Sequence, residues 1–370
     1  MQDANKVTSD NALIKIATGL SILDYPVRDI PPILELGMRD LQVLNINRFA
    51  KALPPSRFEL FELFETPLKK WWPGELPTSD GEESLLFMGQ PTTFCMDWAL
   101  ERNGFFLQLA EIDEQVMAKF VDICRANPIS FQNLYVSTRK FLIEHPVVSQ
   151  AELTRLISLN QVHSSMQSAY EEIPSECERD GYYYLCDYCG DALLWQDGNC
   201  HCRNWGVCEK QGRYSLHSKL KISPSIRRVK RGILAYIVVP GLPELDLVKQ
   251  IQQLGLDVEL WPNVDYVDIH INLPGDVIWG LDVKATRSPR LLGEKEAKKE
   301  NSLLNSGYYS ENSGKAFYVI PDIYYDRSFL DQFCKGAKTK TGILKKRGID
   351  LISTSKFLEV LKDRLNHATN

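Results

Sequence analysis

Through the first 175 residues, apolar positions recur at three- and four-residue steps. The stretches "NALIKIATGLSIL" and "ILELGMRDLQVLNINRFAKAL" predict helices with one buried stripe. "PPSRFELFELFETPLKKWWPGELP" opens on prolines, runs helically and stops at Trp72-Pro73-Gly74. In "FLIEHPVVSQAELTRLISLNQ", Ser149 or Gln150 caps a new helix, with Glu152 in its first turn where the helix dipole favours an acid. The Trp71-Trp72 pair reads as packed rather than as a partner-binding patch.

The pattern changes after "EEIPSECERDG", and a boundary falls at Gly181. The next segment is short, aromatic and rich in Gly and Cys, too small to fold on apolar burial alone. From Ile233 the chain reads strand, helix ("LPELDLVKQIQQLG") and strand ("LDVELWP"). A hairpin follows, then a strand "AFYVIPD" and two helices, "YDRSFLDQFCKGAK" and "SKFLEVLKDRLNHA". Such alternation predicts an α/β domain with a mixed sheet. The expected division is a mainly helical region over 1–175, a knuckle over 181–215 and an α/β domain over 219–370.

The hairpin "VDIHINLPGDVIWGLDVKAT" carries the chemistry. Side chains alternate across a strand, so Val267, Ile269, Ile271 and Leu273 share one face with Val277, Trp279, Leu281 and Val283. Asp268, His270, Gly280, Asp282 and Lys284 fall on the other. A three-residue turn at Pro274-Gly275-Asp276 sets Leu273 opposite Val277 and Asp268 opposite Asp282. A one-residue slip would mix the faces. Two carboxylates directly opposite repel unless a cation lies between them. Magnesium or manganese, bound through hard oxygens, suits that position. Lys284 then orients water and offsets charge growing on a phosphate. Gly280 leaves room on this face for an approaching backbone, and His270 reads as a neighbour of the site rather than a ligand.

Of nine cysteines, six fall between Cys177 and Cys208. In a chain of this size, with no export signal at its start, clustering points to metal in a reducing cytoplasm rather than to disulfides. Cys186-x2-Cys189 supplies two ligands from one turn, and Cys202 and Cys208 complete a structural zinc site, with Cys200 or His201 as the substitute. Gly190 suits the tight backbone after the second cysteine.

The net charge of −5 hides an asymmetry. Residues 1–180 carry 16 basic and 26 acidic side chains, and residues 181–370 carry 27 and 22. A polyanion would therefore meet the back half. Lys219, Lys221, Arg227, Arg228, Lys230 and Arg231 precede the α/β domain, and Arg287 and Arg290 follow the second acid, all candidates for phosphate contacts. No apolar run is long enough to span a membrane.

The back part resembles the PD-(D/E)XK nuclease superfamily, the restriction-endonuclease fold. Val267-Asp268 matches its first half-motif, with valine in place of proline, and Asp282-Val283-Lys284 matches its second. The resemblance implies a mixed sheet in αβββαβ order. It also implies an additional acid from the helix before the first strand, for which Glu244 is the candidate and Glu259 the rival. More narrowly, "FLIEHPVV", the CxxCG knuckle, "DYVDIHI", "GLDVKATRSPRLL", "AFYVIPD" and "TSKFLEVL" occur in an order similar to that of the restriction-endonuclease-like protein encoded beside the prokaryotic Piwi-related (pPIWI-RE) protein and a helicase in bacterial defence islands. That similarity implies an anti-phage or anti-plasmid DNA endonuclease acting with those partners. The alternative is a non-catalytic zinc-containing adaptor that binds nucleic acid or docks protein.

Overall fold

The computed structural model describes residues 9–21, 30–49, 57–74, most of 81–99, 111–196, 199–203, 218–285, 289–298, 314–337 and 348–368, with isolated positions between them. The chain divides into two compact units, one before residue 113 and one after it. The helices just upstream of the cysteines and the cysteine segment itself thus belong to the same unit as the C-terminal sheet, a grouping that composition did not indicate.

In the first unit, α1 (Ser9–Ser21) packs on α2 (Pro32–Phe49), and α3 (Arg57–Phe64) follows. The first pair approaches closely because Gly19 and Gly37 present no Cβ: one added at Gly19 would collide with Leu34 and one at Gly37 with Ile16. Trp72 is buried and donates its indole N–H to Ser9 Oγ at 2.8 Å, while Trp71 donates to the Thr66 carbonyl at 2.9 Å. A short 3-10 turn (Leu68–Lys70) and a hairpin of two-residue strands, β1 (Leu86–Phe87) with β2 (Gln90–Pro91), come next.

The second unit opens with α4 (Glu111–Ala126) and α5 (Pro128–Glu144). Asn127 caps α5 by accepting the Ser130 N–H, with Pro128 at the first helical position. Then β3 (Val147–Ser149) leads into α6 (Gln150–Ser158), which Ser149 caps through the Glu152 N–H as its sequence predicts. Short strands follow: β4 (Tyr170–Glu172), β5 (Glu178–Arg179), β6 (Tyr182–Tyr184), β7 (Leu194–Gln196), β8 (Asn199–His201), β9 (Lys219–Lys221) and β10 (Ile226–Val229). They form sheets in the orders β3-β10-β4, β5-β6-β9 and β7-β8.

One predicted element is different. The apolar run from Ile233 is not a strand but continuous helix: an α turn at Arg231–Ile233, a π segment at Leu234–Val238 and then α7 (Val239–Gln252). A short apolar run reads equally as buried strand or buried helix. Packing against α5 decides here, since Gly241 sits so close that an added Cβ would meet Ile143. The strand lies one step earlier, at Ile226–Val229.

The main sheet runs β11 (Asp257–Leu260), β12 (Ile269–Leu273), β13 (Val277–Val283), β14 (Lys315–Ile320) and β15 (Ile349–Ser353) in spatial order. The first three pair antiparallel and the last three parallel. With α7 before it, α8 (Pro289–Lys298) and α9 (Phe329–Gly336) between its strands, and α10 (Thr354–Ala368) after them, the sheet is buried on both faces. Ile269, Ile271, Trp279, Leu281 and Phe317 pack toward α7 and α10, while Tyr318, Leu292, Phe329 and Phe333 pack on the other side.

Candidate functional site

The β12–β13 turn has the predicted three-residue loop. Gly275 and Asp276 take the left-handed backbone such a turn requires, and Leu273 pairs with Val277. Pairing continues to Ile269 opposite Leu281, so Asp268 sits one step before the strand, across from Asp282. There the chain leaves the ladder. Asp268 donates its N–H to the Leu281 carbonyl at 3.1 Å and accepts the Val283 N–H on its own Oδ2 at 2.6 Å. Val267 therefore does not share the face of Ile269; it packs with Tyr318 and Leu292 on the opposite side. The step brings the Asp268 and Asp282 carboxyl groups into hydrogen-bonding contact. Lys284 Nζ lies 2.5 Å from Asp282 Oδ2 and 5.5 Å from the centre of the Tyr318 ring.

Glu244, on α7, reaches the same place and is 2% exposed. Both of its oxygens accept from Arg139 Nη2 at 3.0 Å, and Oε2 also accepts the Trp261 indole N–H at 2.6 Å. Glu259 lies instead on β11 with an exposed side chain, 3.9 Å from His270 Nδ1. Arg139 Nη1 donates to Asp265 and to Tyr135, and its guanidinium lies 4.4 Å over the Trp261 ring. Asp265 sits on a left-handed turn between β11 and β12: Trp261, Asn263, Val264 and Asp265 all have φ between 46° and 65°. Left-handed backbone is costly for a β-branched residue such as Val264 and persists only where surroundings hold it. Gln132 does so by bonding the Trp261 carbonyl and the Val264 N–H at 3.0 and 2.8 Å, and Arg125 by bonding the Val264 carbonyl at 3.1 Å. Arg139 was not a sequence candidate. Its signal was position: one turn from Tyr135 and from Leu142, it is a charge on the buried face of α5.

Acids outnumber bases here. Glu244, Asp265, Asp268, Asp282 and Glu296 face Arg139 and Lys284. Burial, reinforced by Glu244 and Asp282, pushes the Asp268 carboxyl well above the usual range. Burial pushes Glu244 up to about 7, against Arg139 and Trp261, which favour its carboxylate. Burial penalises the Lys284 ammonium, but Asp282, Asp268 and Glu296 outweigh it and its pKa lies above that of free lysine. Lys284 is thus a fixed cation. The excess of oxygen anions suits a hard divalent cation such as magnesium or manganese. His270 donates or accepts at the Tyr309 hydroxyl, 2.5 Å from Nε2, and burial lowers its pKa so that it is neutral near pH 7. Gly280 does not leave an open approach: the buried Tyr309 ring fills the space that its missing Cβ vacates.

The thiols of Cys186, Cys189, Cys202 and Cys208 converge, all buried, with sulfur atoms within 4.8 Å of one another. Cys189 and Cys202 Sγ are 3.4 Å apart. Tetrahedral zinc–thiolate geometry separates sulfurs by about 3.8 Å, so the donor set fits zinc and has no place for water. Cys200, the substitute, lies half-buried on β8 outside this group. Gly190 has φ 72°, and an added Cβ would meet Pro146. Beside the cluster, Arg203 holds the buried Asp191 with a two-pronged bond at 2.7 Å, and also bonds Glu171 and the Val229 carbonyl.

The basic candidates separate. Lys219 and Lys221 are exposed on β9, and Lys219 Nζ lies 4.3 Å from the centre of the Tyr182 ring. Arg227 pairs with Glu172 at 3.4 Å. Arg228 is a correction: it is 7% exposed and bound to Glu171 at 2.8 Å, so its charge is spent inside the fold. Lys230 and Arg231 are half-buried at the start of the long helix, and Arg290 pairs with Glu294 at 3.5 Å. Arg287 lies outside the described residues. Among the described residues no helix is long and apolar enough to cross a membrane.

Residues 241–369 match the family described as "REase associating with pPIWI_RE", and residues 31–149 match "pPIWI_RE three-gene island domain Y". Comparison with curated proteins and with solved structures finds no match. The first match takes in α7 from Gly241 onward and the whole main sheet, and with them Glu244, Asp268, Asp282 and Lys284. Both descriptions fall on one chain, which is thus similar to the REase that associates with pPIWI_RE over residues 241–369 and to domain Y of the pPIWI_RE three-gene island over residues 31–149.

Proposed function

We propose that the chain is a metal-dependent DNA endonuclease and the nuclease component of a bacterial anti-phage or anti-plasmid system. The observation that carries this reading is the meeting of Asp268, Asp282 and Lys284 at one end of a mixed sheet. The element order from α7 onward, with three antiparallel strands followed by parallel β14 and β15, supports the restriction-endonuclease-like fold. Asp268 and Asp282 hold the cation, magnesium or manganese, which when bound supplies Lewis-acid chemistry at the scissile phosphate. Asp268 is held by the Val283 N–H and Asp282 is presented by β13, so the backbone that carries both acids is in place before a cation binds. Lys284, kept protonated, orients the attacking water and offsets charge growing on the phosphoryl oxygens.

The four-cysteine cluster is assigned a structural zinc. Lys219 and Lys221 contact the DNA backbone, which supplies affinity without sequence choice. The partners are DNA, a Piwi-related protein and the other members of the island, including a helicase, and the site of action is the cytoplasm. The test is cleavage of plasmid DNA by purified protein with Mg²⁺, run beside Asp282→Ala and Lys284→Ala. Parallel RNA substrates check the choice of nucleic acid. Cleavage surviving both substitutions would remove this site from the reaction.

A further inference from the structure

Arg139 lies far from the motif residues in sequence. It sits on α5, before the 241–369 match begins and within the 31–149 match. Yet its side chain is 6% exposed and ends among the acids of the candidate site. Resting on the nuclease reading above, we propose that Arg139 is a positioning residue of the phosphodiesterase site, holding Glu244 and the left-handed turn so that Glu244 and Asp268 face one divalent cation.

Four observations carry this. First, an ionised carboxylate offers about four acceptor positions. Arg139 takes one on each oxygen of Glu244 and Trp261 takes another on Oε2, which leaves one on Oε1. Glu244 therefore has a fixed orientation and a single remaining direction in which to bind. Second, the same guanidinium pins Asp265, three residues before Asp268, and is stacked on Trp261 at the start of that turn. One rigid fork thus fixes two separate approaches to the cation, from α7 and from the β11–β12 turn. Third, Gln132 and Arg125, also upstream of the nuclease match, brace the same turn. Fourth, the site carries more acids than bases, and Arg139 pairs with two acids outside the hairpin, Glu244 and Asp265, while leaving Asp268 and Asp282 to the cation. Lysine cannot replace this. Its ammonium is a point charge and does not hold two oxygens and a second acid in one plane.

The test uses the full chain and the variants Arg139→Ala, Arg139→Lys, Glu244→Gln and the double variant Arg139→Ala/Glu244→Gln. Two quantities are read: Mn²⁺ binding by calorimetry and plasmid cleavage against Mg²⁺ concentration, each per folded molecule as judged by thermal melting. Arg139→Ala should weaken Mn²⁺ binding at least tenfold and raise the Mg²⁺ concentration for half-maximal cleavage by a similar factor. Arg139→Lys should recover only part of each. The double variant should lose less than the product of the two single losses, because Arg139 acts in part through Glu244 and in part through the turn before Asp268. Wild-type Mn²⁺ affinity in folded Arg139→Ala, or losses that simply multiply in the double variant, would overturn the proposal. If Arg139→Ala does not fold, Arg139→Lys against Glu244→Gln and their double variant gives the same cycle. A wild-type chain that binds Mn²⁺ but cuts nothing sinks the nuclease reading alone, since the calorimetry still reads the positioning. A wild-type chain that binds no Mn²⁺ overturns both.

Discussion

Asp268 Oδ2 accepts the backbone N–H of Val283 at 2.6 Å, so the first acid of the pair is tied to the strand that presents the second. The contact holds an acid in a buried, acid-rich place where it resists ionisation. A carboxyl whose folded pKa lies above its unfolded value binds more protons folded than unfolded between the two values, and stability falls as pH rises through that window. Asp268→Asn removes the penalty. Without added divalent cation, its melting temperature should exceed the wild type's by a few degrees at pH 8 and converge with it by pH 4. Added Mn²⁺ should raise the wild type and leave the variant unchanged. Calorimetric melting across pH checks both, and equal pH dependence in the two proteins would contradict the assignment.

Lys284 is expected to act as a cation and not as a base, because three acids hold its proton. Lys284→Gln should lower the cleavage rate by roughly 10²–10³, the scale of losing one preorganised electrostatic group. Its Mn²⁺ binding should survive. A rate profile that rises through the ordinary lysine range in the wild type would argue instead for a neutral amine.

One zinc per chain is expected by elemental analysis of the purified protein. Cys202→Ser should lose it and Cys200→Ser should keep it, because only the former belongs to the converging group. Chelation should melt the cysteine segment, since structural metal affinity is folding free energy.

Gly280→Ala should destabilise the fold by about 1–3 kcal/mol, the cost of forcing extra volume into a packed site. The added methyl would meet the Tyr309 ring, which cannot swing away while its hydroxyl is bound to His270. Denaturant unfolding of the single variant and of Gly280→Ala with Tyr309→Ala separates collision from other causes: the second change should reduce the first one's cost.

If Lys219 and Lys221 touch phosphates, the double alanine variant should bind duplex DNA more weakly and lower the slope of log affinity against log salt by about two. Anisotropy at several salt concentrations measures it. An unchanged slope would make both lysines plain surface charges.

What the chain disclosed in advance was local. The Pro274-Gly275-Asp276 turn and two-residue alternation set the register that brings Asp268 to Asp282, and spacing picked out the four converging cysteines. Other readings failed because tertiary contacts decided them. Ile233 onward is helix because α5 covers it, and Val267 turns away from Ile269 because the Asp268 side chain takes the place of a regular ladder step. Arg228 looked like part of a basic stripe, but a partner 57 residues away in sequence, Glu171, claims it. Arg139 was hidden for the same reason: its partners Glu244 and Asp265 lie more than a hundred positions downstream.

The link from Asp191 through Arg203 to Glu171 and on to Arg228 has a consequence for how such a chain can be recombined. The cysteine segment is not an exchangeable cartridge. Transplanted alone, it would carry a buried aspartate and arginine whose outer partner stays behind on β4, and the donor would keep Arg228 with an acid it must share with no one. Any natural or engineered swap has to move strands β4 and β10 together with the knuckle, or find a new counter-charge for each side.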